Sequence, residues 1–332
     1  MKKFISLFLF VNFYIVAYNQ VIKGTIFDME TKSSIPFATV YFNGTFVGTT
    51  SDQDGNFELD ITKYASRPIT ISAVGYYSYT LSDYSDSEPQ IIYLTPKVYE
   101  IKEVSVSVKS LARERKANLK LFKNEFLGTT SNAWKCEIVN EEDITFNYGS
   151  DDDTLKTFAS KPILINNNAL GYNITYHLDK FEYYKKSNII FFTGNIIFNK
   201  DLTTEETDKQ FYESRRKNAF LGSRMHFFRA LWQDDLKSTG FTIKDSADKK
   251  LNSKDIVIQE DSCKKFLKYS ENLDIYYHFP DRYEDFSSEI IFLKDQVLFE
   301  QDGFFDPSGI RWQGQMAEKR IADWLPYEYS IE

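Results

Sequence analysis

The sequence predicts a mainly β protein in two regions: a first of short alternating strands, and a second, α+β, built round an antiparallel sheet with one long helix. Three observations lead there. Twenty-nine Phe and 22 Tyr supply much of the apolar mass of the 332 residues, and aromatic side chains suit pleated surfaces. From Val21 onward, short runs alternate apolar and polar residues between turn residues. Over Thr204 to Ser238 the apolar spacing changes from about 2 residues to about 3.6.

The chain opens "MKKFISLFLFVNFYIVAYNQ": two lysines, an apolar run from Phe4 to Val16, then Ala17 to Gln20. That order predicts a secretory leader over residues 1–20, with the mature protein beginning between Tyr18 and Val21. An uncleaved anchor is the alternative, but the apolar run is shorter than the roughly 20 residues that span a bilayer. The protein is therefore expected to be exported, to the periplasm or the outer membrane, with no transmembrane segment after cleavage. The only cysteines are Cys136 and Cys263, so none follows the leader to take a lipid. Loss of Lys2 and Lys3 takes the net charge from -8 to about -10, and nucleic acid is excluded as a partner on that balance.

Residues 21–108 form the first domain. "VIKGTIFD" leads through "METKSSIP" to "FATVYFNG", where Ala38, Val40 and Phe42 alternate with Thr39 and Tyr41. The run "FVGTTSDQDGNFEL" then gathers Asp52, Asp54 and Gly55, and two readings compete for it. A calcium loop of the EF-hand kind needs oxygen ligands at alternate positions over about twelve residues, a closing Glu and flanking helices. Here Glu58 comes too early and strands flank the run, so Asp54-Gly55 reads as a hairpin turn whose acids accept from turn amides.

In order, Gly24 before a strand, Pro36 and Ala38 entering the next, Ser51-Asp52 to Gly55 to Phe57, Gly75-Tyr76 and Glu103-Val104 resemble the carboxypeptidase-regulatory-like domain of Bacteroidota envelope proteins. The resemblance covers Val21 to about Val108. It implies a seven-stranded transthyretin/Ig-like antiparallel β-sandwich without catalytic residues. The same module often precedes outer-membrane receptors, but the remaining chain carries a long helical pattern foreign to a barrel.

Residues 109–128 are expected to be a connecting helix, capped by Ser110, carrying Leu111, Leu119, Phe122 and Phe126 near helical spacing and ending at Gly128. Residues 129–332 then read as an α+β domain of unknown function. Its expected strands lie in "KCEIVN", "ITFNY", "PILIN", "YNITYHLDKFEYY" and "IIFFTGNIIF" before the long helix. After it come "FTIKD", "DIVIQ", "FLKY", "LDIYYHF", "EIIFL" and "RWQGQM". The helix starts among Glu205, Glu206 and Asp208, as its dipole favours, and bends near Gly222. Trp134, Cys136 and Ile138 are expected on one buried strand face. Cys136 and Cys263 either pair or stay as two buried thiols.

On the helix, Arg215, His226, Arg229 and Gln233 project within about 40° of one another at 100° per residue, amid Phe220, Phe227, Phe228, Leu231 and Trp232. This stripe is either paired with carboxylates of neighbouring strands or aimed at an anion. The tract "SRRKNAFLGSRMHFFRALW" resembles a segment of uncharacterised exported proteins with the same first module, which implies no activity. A zinc peptidase would use His-x-x-Glu with a distant His, and none of His177, His226 or His278 has Glu three residues on. No metal or cofactor is expected. The leading expectation is a non-catalytic cell-envelope protein that binds or scaffolds a protein or glycan. A hydrolase with its site in residues 129–332 and a structural accessory of an outer-membrane assembly are the alternatives.

Overall fold

The computed structural model describes residues 20–65, 67–97, 108–148, 153–202, 206–260, 264–279 and 285–331. The mainly β class holds, and the described residues build three hydrophobic cores, one in the first domain and two after it.

In the first domain, β1 (Val21–Asp28), β4 (Asn56–Asp60) and β7 (Gln90–Leu94) form one sheet. The other holds β2 (Thr39–Phe42), β3 (Gly48–Thr50), β5 (Ile69–Ser72) and β6 (Tyr79–Leu81). Alternation does what it should: Phe57 and Leu59 turn inward from β4 while Asn56, Glu58 and Asp60 stay exposed. One pair departs from the antiparallel expectation, because β7 runs parallel to β1 from Gly24 to Asp28. Along β5 all four residues are buried. Ile69 and Ile71 fill the sandwich, and the neighbouring face is covered by the next unit, where Tyr41 stacks on His177 at 5.7 Å.

Helix α1 (Val108–Leu127) starts before Ser110, so Ser110 lies within its first turn rather than capping it. The helix inserts Phe122 and Phe126 beneath a six-stranded sheet. That sheet holds β8 (Cys136–Ile138), β9 (Ile144–Tyr148), β10 (Thr154–Ala159), β11 (Ile163–Asn167), β12 (Tyr172–Tyr184) and β13 (Ile189–Asp201). The long β12–β13 hairpin pairs along its whole length, with register shifts next to Asn173 and Leu178. β10 is a strand the pattern does not announce, since Thr154 and Leu155 are both buried and the period of two is lost.

The expected single long helix is two: α2 (Glu206–Phe220) and α3 (Arg224–Trp232). Gly222 separates them at φ 66°, and a Cβ there would lie 2.6 Å from the Tyr277 ring, so only glycine fits the break. The residues beyond form their own core round α3. One sheet there holds β14 (Phe241–Lys244), β15 (Lys250–Leu251), β18 (Leu273–His278), β19 (Asp285–Phe292) and β21 (Ile310–Gly314). A smaller one holds β16 (Val257–Gln259), β17 (Lys265–Leu267) and β20 (Val297–Phe299), with short helices α4 (Ser253–Ile256) and α5 (Gln315–Glu318) between strands. The described part of residues 129–332 thus contributes to two cores, the first of which also takes Phe122, Phe126 and Leu127 of α1.

The first domain is joined to the residues beyond at a buried arginine. Arg67 of the first domain is 1% exposed and grips the turn after β20. It donates to Glu300 Oε2 at 2.6 and 3.2 Å and to both Asp302 carboxylate oxygens at 2.7 Å. Tyr64, Phe304 and Tyr327 surround its guanidinium. Burial alone would lower its pKa, but Asp302 and Glu300 outweigh it and hold the group above its ordinary value. The chain end joins in: Tyr327 N–H donates to Gly44 O at 2.9 Å, and Glu328 Oε1 accepts from Phe46 N–H at 3.1 Å.

Replacing Arg67 by Met should strand two half-buried carboxylates and cost about 3 kcal/mol in urea unfolding, with Arg67→Lys recovering less than half because an ammonium cannot bridge both acids. An unchanged denaturation midpoint for Arg67→Met would contradict this.

Candidate functional site

The break at Gly222 undoes the helical projection, and the predicted stripe divides. Gly222 N–H donates to His226 Nδ1 at 3.2 Å, and Ser223 caps α3 by accepting from His226 N–H at 3.2 Å. The His226 ring is buried among Phe220, Phe241 and Tyr277. Arg229 donates to three main-chain carbonyls: Asp302 at 2.7 Å, Tyr329 at 2.7 Å and Tyr327 at 3.1 Å. Gln233 is an exposed C-cap. Among the described residues none of the four forms an ion pair, which corrects the expected carboxylate partners: the oxygens that Arg215 and Arg229 meet are neutral, and a half-buried guanidinium is satisfied by such acceptors. The adjoining Arg216 is the paired one, 2.8 Å from both Asp201 and Glu213.

The turn residues are also placed. Gly55 has φ 81°, and Asp52 Oδ1 accepts from the N–H groups of Asp54 and Asn56 at 2.9 and 2.8 Å. These bonds, that from Asn56 foremost, lower the Asp52 pKa. Among the described residues no three His, Cys, Asp or Glu gather as a metal site. Cys136 is a free thiol donating to Asn132 O at 3.5 Å, and burial pushes it up to about 12. Cys263 lies outside the described residues, as does Glu205. His278 meets Asp285 at 2.8 Å on the surface.

His177 sits in a small cleft between the first domain and β12, lined by Ser78, Lys97 and Lys161. Its Nε2 is buried without a partner. Close by, Asp179 collects Lys97 at 3.6 Å, Ser78 N–H at 3.4 Å and Asn195 Nδ2 at 3.2 Å. Burial, reinforced by Lys97, lowers the His177 pKa to about 4, and burial with Lys319 and Arg229 does the same for His226.

One surface feature brings unlike chemistry together. The 3-10 turn Ala133–Lys135 buries Ala133 and turns Trp134 outward, 82% exposed. This corrects the expected buried strand face. From the next position in that turn Lys135 reaches α2, where Phe211 is 45% exposed, with Lys135 Nζ 5.2 Å and the Arg215 guanidinium 5.6 Å from its ring. Arg215 is fixed from behind, donating to Asn132 Oδ1 at 2.8 and 3.2 Å and to Ser131. Asn132 in turn donates to the buried Asp323 carboxylate at 2.7 Å, which also accepts from Thr130 at 2.9 Å. Burial raises the Asp323 pKa, and the two hydrogen bonds oppose it. The result is an aromatic and cationic platform on a braced loop. Such a platform can stack on a sugar ring or a planar side chain and hold an acid at its rim. The exposure of Trp134 had one sequence signal, the polar "TTSN" before it, which suits a loop better than a strand.

Both buried histidines should make the fold acid-sensitive. A folded pKa of about 4 lies below the unfolded value of about 6.5, so between those limits the unfolded chain binds a proton that the folded chain refuses; stability is full above about pH 6.5 and falls as pH drops through the window. Each histidine contributes up to about 3 kcal/mol of that loss. His177→Phe, which keeps the ring against Tyr41, should remove its share. Equal pH slopes for wild type and His177→Phe, measured by urea unfolding from pH 7 to 4, would refute the assignment.

No curated protein matches the chain. Residues 22–106 match the family model described as CarboxypepD_reg-like domain, a span that covers nearly all of the seven-stranded sandwich, so the first domain carries that module.

Proposed function

We propose that the protein is a non-catalytic, exported component of the cell envelope that holds a protein or glycan partner, with the Trp134–Phe211 platform as its contact. The observation that carries this reading is the exposed Trp134 ring on a loop braced through Asn132 and Asp323. A large exposed aromatic with few rotatable bonds loses little entropy on binding and buries much apolar area, which is why such residues dominate binding energies. The CarboxypepD_reg-like module and the apolar N-terminal run of the sequence support export. No described helix is long and apolar enough to cross a membrane.

The test is affinity recovery from envelope extract with the tagged wild type, Trp134→Ala and Phe211→Ala. Each truncation should weaken retention of one specific protein or polysaccharide by roughly 10-fold, while both variants keep the wild-type melting temperature because the rings pack on little. Retention unaffected by either change would overturn the reading.

A further inference from the structure

The edge strands of the other four sheets are two to five residues long, the usual way to keep an edge from pairing with another chain. β13 is different. It is 13 residues long, lies at an edge of its sheet and is bonded to β12 on one side only. Its far end is already taken: Ile196 N–H donates to Asn43 Oδ1 and Ile196 O accepts from Gly44 N–H, both at 2.8 Å, and Phe198 N–H donates to Thr45 O at 3.0 Å. Even-numbered residues therefore face away from β12. The extra residue of the irregularity at Leu178/Lys180 belongs to β12, so the alternation carries on to Gly194, Phe192 and Ile190. Among the described residues no backbone partner meets these three on that side.

The open stretch reads Ile189-Ile190-Phe191-Phe192-Thr193-Gly194, with no charge and no proline. Ile189 and Phe191 are 55% and 47% exposed, while Phe192 packs on Phe126 and Phe181 and fixes the strand from below. We propose that this edge pairs with the same edge of a second copy of the chain, antiparallel across a twofold axis at Phe192. In that register Phe192 faces the partner's Phe192 and Ile190 faces the partner's Gly194, so every outward N–H and C=O is used. The Asn43–Thr45 turn closes the edge beyond Gly194 and limits the pairing to this stretch, which continues the contact that turn already makes. A second copy is the occupant that fits because the segment matches its own length, sets no like charges opposite one another and buries Phe191 diagonally against the partner's Phe191. The product is one continuous sheet through both copies.

Sedimentation of the purified protein tests this. The wild type should be a dimer at about 100 µM. The double variant Phe191→Lys, Thr193→Lys alters only side chains on the exposed face and sets lysines opposite each other across the axis. It should weaken dimerisation at least about 100-fold with an unchanged circular-dichroism spectrum and, at dilutions where both proteins are monomeric, an unchanged melting temperature. A wild-type monomer at that concentration, which would leave the edge to a strand of another protein, overturns the proposal. A double variant that dimerises as tightly as wild type overturns it equally, since the copies then meet elsewhere.

Discussion

Two arginines, the buried Arg67 and the half-buried Arg229, hold one turn between them, and the arrangement of the three units follows from that grip. Arg67 takes the carboxylates of Glu300 and Asp302, while Arg229 takes the main-chain carbonyl of Asp302 together with those of Tyr327 and Tyr329. Neither charge can stand in an apolar interior without such acceptors. Because the acceptors come from the β20 turn and the chain end, satisfying the arginines fixes first domain, α3 and C-terminus in one relation. Tyr327 ties them further, with its ring over Arg67 and its N–H on Gly44.

That relation has consequences at the surface. Ile321 and Ala322 are buried in the core under α1, and Asp323 beside them braces Asn132, which braces Arg215. The platform round Trp134 is therefore supported by the same terminal segment that closes the domain junction. The Asn43–Thr45 turn, held by Tyr327, occupies one end of the β13 edge and leaves the other end open. A single run of about ten residues near the C-terminus thus reaches both exposed features, in keeping with the rule that binding surfaces sit on loops positioned by a rigid frame.

What the sequence made legible was local. β12 was visible because its first residues alternate, β13 because β-branched and aromatic residues crowd it on either side of a Thr-Gly-Asn break, and the Asp54-Gly55 turn because its chemistry lies within a few residues. Arg67 was invisible for the opposite reason: its acidic partners lie 233 and 235 residues away, and no spacing rule reaches that far. The stripe on the long helix failed at Gly222, since angular projection assumes an unbroken axis. The choice between Arg215 and Arg216 as the ion-paired residue then turned on tertiary contacts with Asp201. Trp134 was misplaced because a tight turn reverses which residues face inward, and alternation was assumed to begin before the strand did. Of the stripe residues, only Arg215 belongs to the exposed platform.

The claim that the terminal segment keys the units together is tested most directly by hydrogen exchange on Arg229→Ala. With the three carbonyl contacts gone, amide protection should fall together in the 43–46 turn, the 300–304 turn and residues 321–329, while β10 and β11 keep theirs. Loss of protection confined to residues 327–329, with the two turns as protected as in wild type, would contradict the account.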